Sequence, residues 1–248
     1  MTVPGSDFAV TTTSDEGEGS LRQAIVNAVR SGRPSTITFD AVGGPFASPQ
    51  TIVLTRELPD LTGDLTIDGD IEGGLWKATG VTVSGAGRWR VFNVAPGARV
   101  TLRSLTLADG SARKGAGIAT AGRLIVEGVT FVHNVAGREG GGLANLGGKV
   151  FVINSTFFEN RARKSGGGLA NRKGDATVTN CTFSDNTARR GGGLYSDGRL
   201  LLRNTILANS GTAADCFAKG AFDGAGTHNI IEANDGCGQP FSSADPRL

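Results

Sequence analysis

The sequence predicts an all-β, single-domain parallel β-solenoid, and three observations predict it. A Gly-Gly-Gly-Leu tetrad ends at Leu143, Leu169 and Leu194, with Gly115-Ala-Gly-Ile118 as an earlier variant, so its last residues stand 25, 26 and 25 apart. A Phe-x-x-Asn pair recurs as Phe131/Asn134, Phe157/Asn160 and Phe183/Asn186, 26 residues apart each time, with Leu107 and Leu207 holding the Phe position in flanking copies. Glycine contributes 39 of 248 residues without a Gly-x-y period, which excludes collagen and implies many tight turns, while 38% hydrophobic residues suffice for a core.

The elements follow in chain order. Residues 1–35 are expected to form an N-terminal strand and a capping helix. Ser20-Leu-Arg-Gln23 is a capping-box pattern, Leu21, Ala24, Ile25, Ala28 and Val29 form a 3.6-period apolar stripe, and Gly32 is a natural terminator. A solenoid needs such a lid, because an uncovered coil exposes both its core and its backbone edge. Residues 36–210 are expected to be the coils, irregular at first, with strand-like runs at 36–39, 51–54, 65–67, 81–83 and 90–94. Residues 211–248 are read as an irregular C-terminal cap with a strand-like run at 229–231, giving a single domain of about eight coils.

Within the regular copies, strand alternation separates inward from outward columns. Val100, Leu124, Val150, Ala176 and Leu200, and then Leu102, Val126, Val152, Val178 and Leu202, are wholly apolar and face a core. Asn154, Asn180 and Asn204 mark a corner, being residues that tolerate positive φ. Beyond it Leu105, Val129, Ser155, Cys181 and Thr205 point inward with the Phe column, and Thr106, Thr130, Thr156 and Thr182 point outward. Two short strands meeting at a corner, with a glycine-rich third side, make one turn of a solenoid whose coils stack at about 4.8 Å.

Several function classes fall away. There is no apolar run of about 18 residues for a membrane span, and Met1-Thr-Val-Pro does not begin a signal peptide. Cys-x-x-Cys, His-Glu-x-x-His and Gly-x-Ser-x-Gly are all missing, and Gly115-Ala-Gly117 is a turn repeat, not a dinucleotide fingerprint. Cys181 sits in an inward column and reads as an inert core residue. Cys216 and Cys237 lie in the non-repetitive tail, where a disulfide would staple the last coil and fit an exported protein.

The near-neutral total of +2 hides a basic block: residues 113–203 hold 14 Lys or Arg against 6 Asp or Glu, a local +8.

Phe8-Ala-Val-Thr-Thr-Thr, Gly19-Ser-Leu-Arg-Gln-Ala-Ile, the repeats, Asn204-Thr-Ile-Leu-Ala-Asn, Asp215-Cys216 and Asp245-Pro-Arg-Leu248 together resemble the bacterial secreted right-handed parallel β-helix proteins that begin with a Ser-Leu-Arg-[Glu/Gln]-Ala helix. The paired Gly-Gly-x-Ile/Leu and Phe-x-x-Asn are similar to the repeats of chlamydial polymorphic outer-membrane proteins, which are surface adhesins. The resemblance implies a secreted or cell-surface location, and the wider pectate lyase-like superfamily it points to also contains polysaccharide lyases and polygalacturonase-type hydrolases. Fold analogy does not choose between binding and catalysis.

Two rows carry candidate chemistry. Asp109, His133, Glu159, Asp185 and Asn209 fall in one stack two residues after the Phe column. As a lyase or hydrolase site, Glu159 and Asp185 with Asp109 would offer Ca²⁺ its oxygen ligands, Arg163 or Arg189 would neutralise a uronate and take its α-proton, and His133 is an alternative base. The same stack also reads as a solvated salt-bridge ladder. Simple alternation would point it inward, so the turn at Asn134, Asn160 and Asn186 is expected to reorient it.

Lys114, Arg138, Arg163, Lys164, Arg189 and Arg190 repeat along the axis at coil spacing, an array that suits an acidic polysaccharide or another surface polyanion. Sequence-specific nucleic-acid binding is not expected, since Trp76, Trp89 and Tyr195 offer few stacking platforms. Ile125, Phe151, Ile153 and Leu201 form an outward apolar patch, a candidate for self-association. The leading expectation is a non-catalytic, adhesin-like module without a required cofactor; the alternatives are a polysaccharide lyase or hydrolase and a structural spacer.

Overall fold

In the computed structural model, which describes residues 6–41, 44–70, 80–211, 213–223 and 228–248, the chain winds into a parallel solenoid of about eight turns, about 26 residues apart. Met1–Pro4 and Trp76 lie outside the described residues. Each regular turn gives one strand to each of three long sheets. Face A has nine strands, among them Arg99–Arg103, Arg123–Glu127, Lys149–Ile153, Asp175–Thr179 and Arg199–Arg203. Face B has eight, including Thr130–Val132, Thr156–Phe158 and Thr182–Ser184; face C has seven, including Leu143–Asn145, Leu169–Asn171 and Leu194–Ser196. A short fourth sheet, Ser111–Lys114, Val135–Glu139 and Arg161–Ala162, bulges between faces B and C.

Equivalent residues stack in strict register: Leu124 against Val150, Val150 against Ala176, Phe131 against Phe157, Leu143 against Leu169. The inward columns read from alternation are buried, including Ser155, Cys181 and Thr205. Phe131, Phe157 and Phe183 stack face to face with ring centroids 4.4 Å apart at each step. The corner between faces A and B uses Ser104, Asn154, Asn180 and Asn204, all at positive φ. Asparagine reaches this left-handed region at little cost because its short polar side chain bonds locally.

At the N-terminal end, the helix Leu21–Ser31 starts at Ser20, whose Oγ accepts from the Gln23 amide, and stops at Gly32 with φ 62. Leu21, Ala24, Ile25 and Ala28 join the main core, whereas Val29, expected on the same stripe, is 36% exposed in the last turn. The helix connects the paired parallel strands Ser6–Val10 and Ser35–Phe39 and packs on both. A buried ion pair clamps the preceding loop: Arg22 Nη2 lies 2.8 Å from both oxygens of Asp15 and also donates to the Arg56 carbonyl.

The coil pattern runs past residue 210, further than the repeat alone predicts. Cys216–Ala218, Phe222–Asp223 and Ile230–Ile231 extend faces C, A and B in turn, because they retain apolar residues at the inward register although the glycine tetrad is gone. A disulfide joins Cys216 to Cys237.

Candidate functional site

The carboxylate stack lies on the outside of the solenoid, but the turn that puts it there is not the one expected. Asp109, His133, Glu159, Asp185 and Asn209 themselves hold positive φ between 50 and 60. The left-handed backbone breaks strand alternation at this column and swings its side chains outward. Asn134, Asn160 and Asn186 instead point inward with no exposed surface and form a ladder through the coils: Asn134 Nδ2 donates to Asn160 Oδ1 at 2.9 Å, and Asn160 Nδ2 to Asn186 Oδ1 at 3.0 Å.

His133 sits between two carboxylates. Its Nε2 is 2.7 Å from Glu159 Oε2, and its Nδ1 is 3.9 Å from Asp109 Oδ1. Ser84 Oγ donates to Asp109 and Ser184 Oγ donates to Asp185 at 2.7 Å. His133, Glu159 and Asp185 open onto a cleft of about 410 Å³ that also contains Val135 and Arg161. An imidazole oriented by a carboxylate can accept a proton, and the remaining carboxylate oxygens can accept sugar hydroxyls. Asp109 and Glu159, two of the candidate Ca²⁺ ligands, are two coils apart with His133 between them, while Glu159 and Asp185 are on adjacent coils. Among the described residues no three His, Cys, Asp or Glu side chains are grouped to hold a metal ion.

The cation that shares this cleft is Arg161, which the sequence reading passed over; its Nε donates to Thr187 Oγ1. Arg163 and Arg189 line the next groove, about 470 Å³, with Ala136, Ala162 and Ala188 along its floor. Val135 and Arg161 border both spaces, so the cleft with the carboxylates and the groove with the guanidinium groups lie side by side, with these two side chains between them.

The basic row is uneven. Arg163, Lys164, Arg189 and Arg190 are exposed, and among the described residues none of their side chains forms an ion pair. Arg190 lies 6.0 Å above the Phe217 ring. Lys114 is not part of a free row, because the fourth sheet slips register at residues 136–139 and aligns it with Glu139. Glu139, buried, takes Lys114 at 3.1 Å and Arg172 at 3.4 Å. Arg138, in the same bulge, is half-buried. Glu139 stands directly before its glycine tetrad, in the column of Lys114, Ser165 and Arg190, so aligning the copies on their glycines would have set it beside Lys114.

The apolar patch is interrupted. Thr177 stands between Phe151 and Leu201 in the face A register, and the Phe151 ring is covered by the Arg123 guanidinium at 4.7 Å and the Lys149 ammonium at 5.4 Å. Thr106, Thr130, Thr156 and Thr182 do form an outward row on face B.

Among the described residues no helix is long and apolar enough to cross a membrane. A family model described as the right-handed beta helix region matches residues 71–245. No curated protein and no solved structure matches the chain.

Proposed function

Because the chain belongs to the right-handed beta helix family, we propose that it is a secreted or cell-surface module that binds acidic polysaccharide, or another polyanionic surface of a host or neighbouring cell, along its basic coils. The observation that carries this reading is the group of Arg163, Lys164, Arg189 and Arg190: four exposed cations on two adjacent coils, without acidic partners among the described residues, beside an open groove. Like charges directly opposite one another on neighbouring strands repel. A polyanion laid along the axis offsets that repulsion and releases its own counterions. The tail disulfide supports an oxidising, extracellular setting. The function is adhesin-like and needs no cofactor.

The test is binding to alginate, polygalacturonate, chondroitin sulfate and heparin over a range of salt, with the native chain and with Arg163, Lys164, Arg189 and Arg190 all changed to Ala. Binding that weakens with salt and in the variant supports the proposal. A variant that binds like the native chain overturns it.

The contact between His133 and Glu159 favours a second reading, a lyase or hydrolase acting on a uronic-acid polymer in the neighbouring cleft. In the lyase form His133 or Arg161 takes the proton α to the uronate carboxylate, the glycosidic bond at C4 breaks with the electron pair leaving on oxygen, and a C4–C5 double bond forms. The same incubations, with and without Ca²⁺, then develop unsaturated-uronate absorbance that Glu159→Gln abolishes. Binding without turnover leaves the surface module; silence in both favours a spacer.

A further inference from the structure

The nine-stranded face A carries a second basic row that the sequence columns did not single out. Its strands begin, in register, with Asp64, Arg99, Arg123, Lys149, Asp175 and Arg199. Three cations therefore stand on consecutive coils between two acids, all exposed. At the other end of the same strands the charges alternate instead: Arg103 lies 3.9 Å from Asp68 and 3.2 Å from Glu127. One rim of the sheet thus pairs its charges, whereas at the other Arg99, Arg123 and Lys149 form no ion pair among the described residues.

That cationic rim borders a trough of about 570 Å³ lined by Arg99, Arg123, Lys149 and Lys173, with Asp175 as its one acid, a local balance of 4 − 1 = +3. Apart from Lys173, the corner beside these cations is built of small residues, Ala98, Ala121 and the glycines. Gly122, Gly148 and Gly174 stack so closely that a Cβ on Gly148 would run into the Gly122 carbonyl, and one on Gly174 into the Gly148 carbonyl. Two of the cations are also pre-positioned: Arg123 and Lys149 share the face of Phe151. A side chain already ordered loses less freedom when a ligand arrives.

We infer that this trough is a second polyanion site, taking a linear polysaccharide that carries one carboxylate or sulfate on each sugar residue, laid parallel to the solenoid axis. The cations recur at about the 4.8 Å coil spacing, which is comparable to the rise of one pyranose residue in an extended chain. A nucleic acid fits less well: among the described residues no aromatic lines the trough, and the nearby Phe151 ring is already covered by cations. The inference stands on different residues, on a different face, from the site at Arg163 and Arg189.

The experiment titrates fluorescently labelled polygalacturonate, heparin and single-stranded DNA with the full chain, the Arg99→Gln/Arg123→Gln/Lys149→Gln variant, the four-alanine variant described above, and the two sets combined. Polygalacturonate reports carboxylate recognition and heparin reports sulfate. The triple variant is expected to lose about tenfold or more in affinity for at least one polysaccharide. Its slope of log affinity against log salt falls by about two to three, near one counterion for each lost cation. The loss persists in the four-alanine background, and circular dichroism and Tm stay native. Should the triple variant fail to fold, Lys149→Glu alone replaces it. Polysaccharide affinity unchanged in the triple variant, or lost only in the four-alanine variant, overturns this site while leaving the other standing. Silence of the native chain overturns both. DNA bound more tightly than either polysaccharide, in a manner the triple variant abolishes, overturns the polysaccharide assignment.

Discussion

Asn160 donates from Nδ2 to Asn186 Oδ1 at 3.0 Å, and neither residue has any exposed surface. The same Nδ2 serves the Phe131 carbonyl at 2.9 Å, while Asn160 Oδ1 accepts both the amide and Nδ2 of Asn134. Every polar atom of the side chain is engaged in the interior, so truncation leaves several orphans. Asn160→Ala is expected to cost on the order of 3 kcal/mol or more, from buried groups at about 1–3 kcal/mol each. Asn160→Asp gives no rescue, because its second oxygen faces the Phe131 carbonyl. Asn154, which accepts from Asn180 at the exposed corner, makes the contrast: Asn154→Ala loses only about 1–2 kcal/mol, for the left-handed backbone. Urea unfolding of the three variants measures the difference, and equal costs at positions 154 and 160 would remove the internal ladder as a stabilising element.

Phe157 stacks between Phe131 and Phe183, with centroids 4.4 Å away on either side. Phe157→Ala opens a hole in the middle of that column and is expected to cost about 3–5 kcal/mol. Phe157→Leu should cost under about 1.5 kcal/mol, since Leu107 and Leu207 already fill the column at its ends. Thermal unfolding checks the pair, and a Leu variant as damaged as the Ala variant would mean that stacking, not volume, holds the column.

The contrast between these two ladders tells why part of the architecture was legible in the sequence. The Phe column obeys a local rule, period 2 along a strand, repeated at a fixed interval, so its direction could be read without coordinates. The column of Asp109, His133, Glu159 and Asp185 could be aligned as easily, yet its direction depends on one backbone angle per coil. Residue type does not dictate positive φ at His133 or Glu159 as it does at glycine, so the turn was assigned to the asparagines next door. Glu139 and the row Arg99, Arg123 and Lys149 were missed for a third reason. Both stood in columns that the repeat already aligned, Glu139 directly before a glycine tetrad and the cations directly before Val100, Leu124 and Val150, but residue type alone does not tell that Glu139 is buried against two cations or that the three cations border a trough.

Asp15 gives the fold a defined response to acid. Burial by itself raises the pKa of this carboxyl, but hydrogen bonds from the Thr55 hydroxyl and Arg22, the Thr55 amide and the Arg22 charge outweigh it, and the group is held below the ordinary 3.8. A carboxyl with a depressed folded value stabilises fully above its unfolded pKa and ceases to do so as pH falls through the folded one. Asp15→Asn is expected to lower stability by about 3 kcal/mol or more near neutrality, since it leaves Arg22 buried without its counter-charge. The gap in Tm between native and variant chains should stay constant down to about pH 4, near the unfolded carboxylate value, and narrow below it. A gap that persists unchanged into strong acid contradicts the ion-pair account.

The three cysteines separate the stability of the last coil from that of the rest. Burial pushes the Cys181 thiol up to about 11, and its Sγ donates to the Thr179 and Val152 carbonyls, so it should not react with a thiol reagent while the central coils are folded. The bond between Cys216 and Cys237 spans 21 residues, and a loop of that length is worth about 3 kcal/mol. In a solenoid each coil contacts only its neighbours, so loss of this staple acts first on the end and reaches inward through one interface at a time. Mild reduction is therefore expected to expose two thiols, strip hydrogen-exchange protection from 213–223 and 228–248, and leave Cys181 unlabelled. Labelling of Cys181 in step with reduction would show instead that the coils unfold as one cooperative unit, with the C-terminal staple holding all of them.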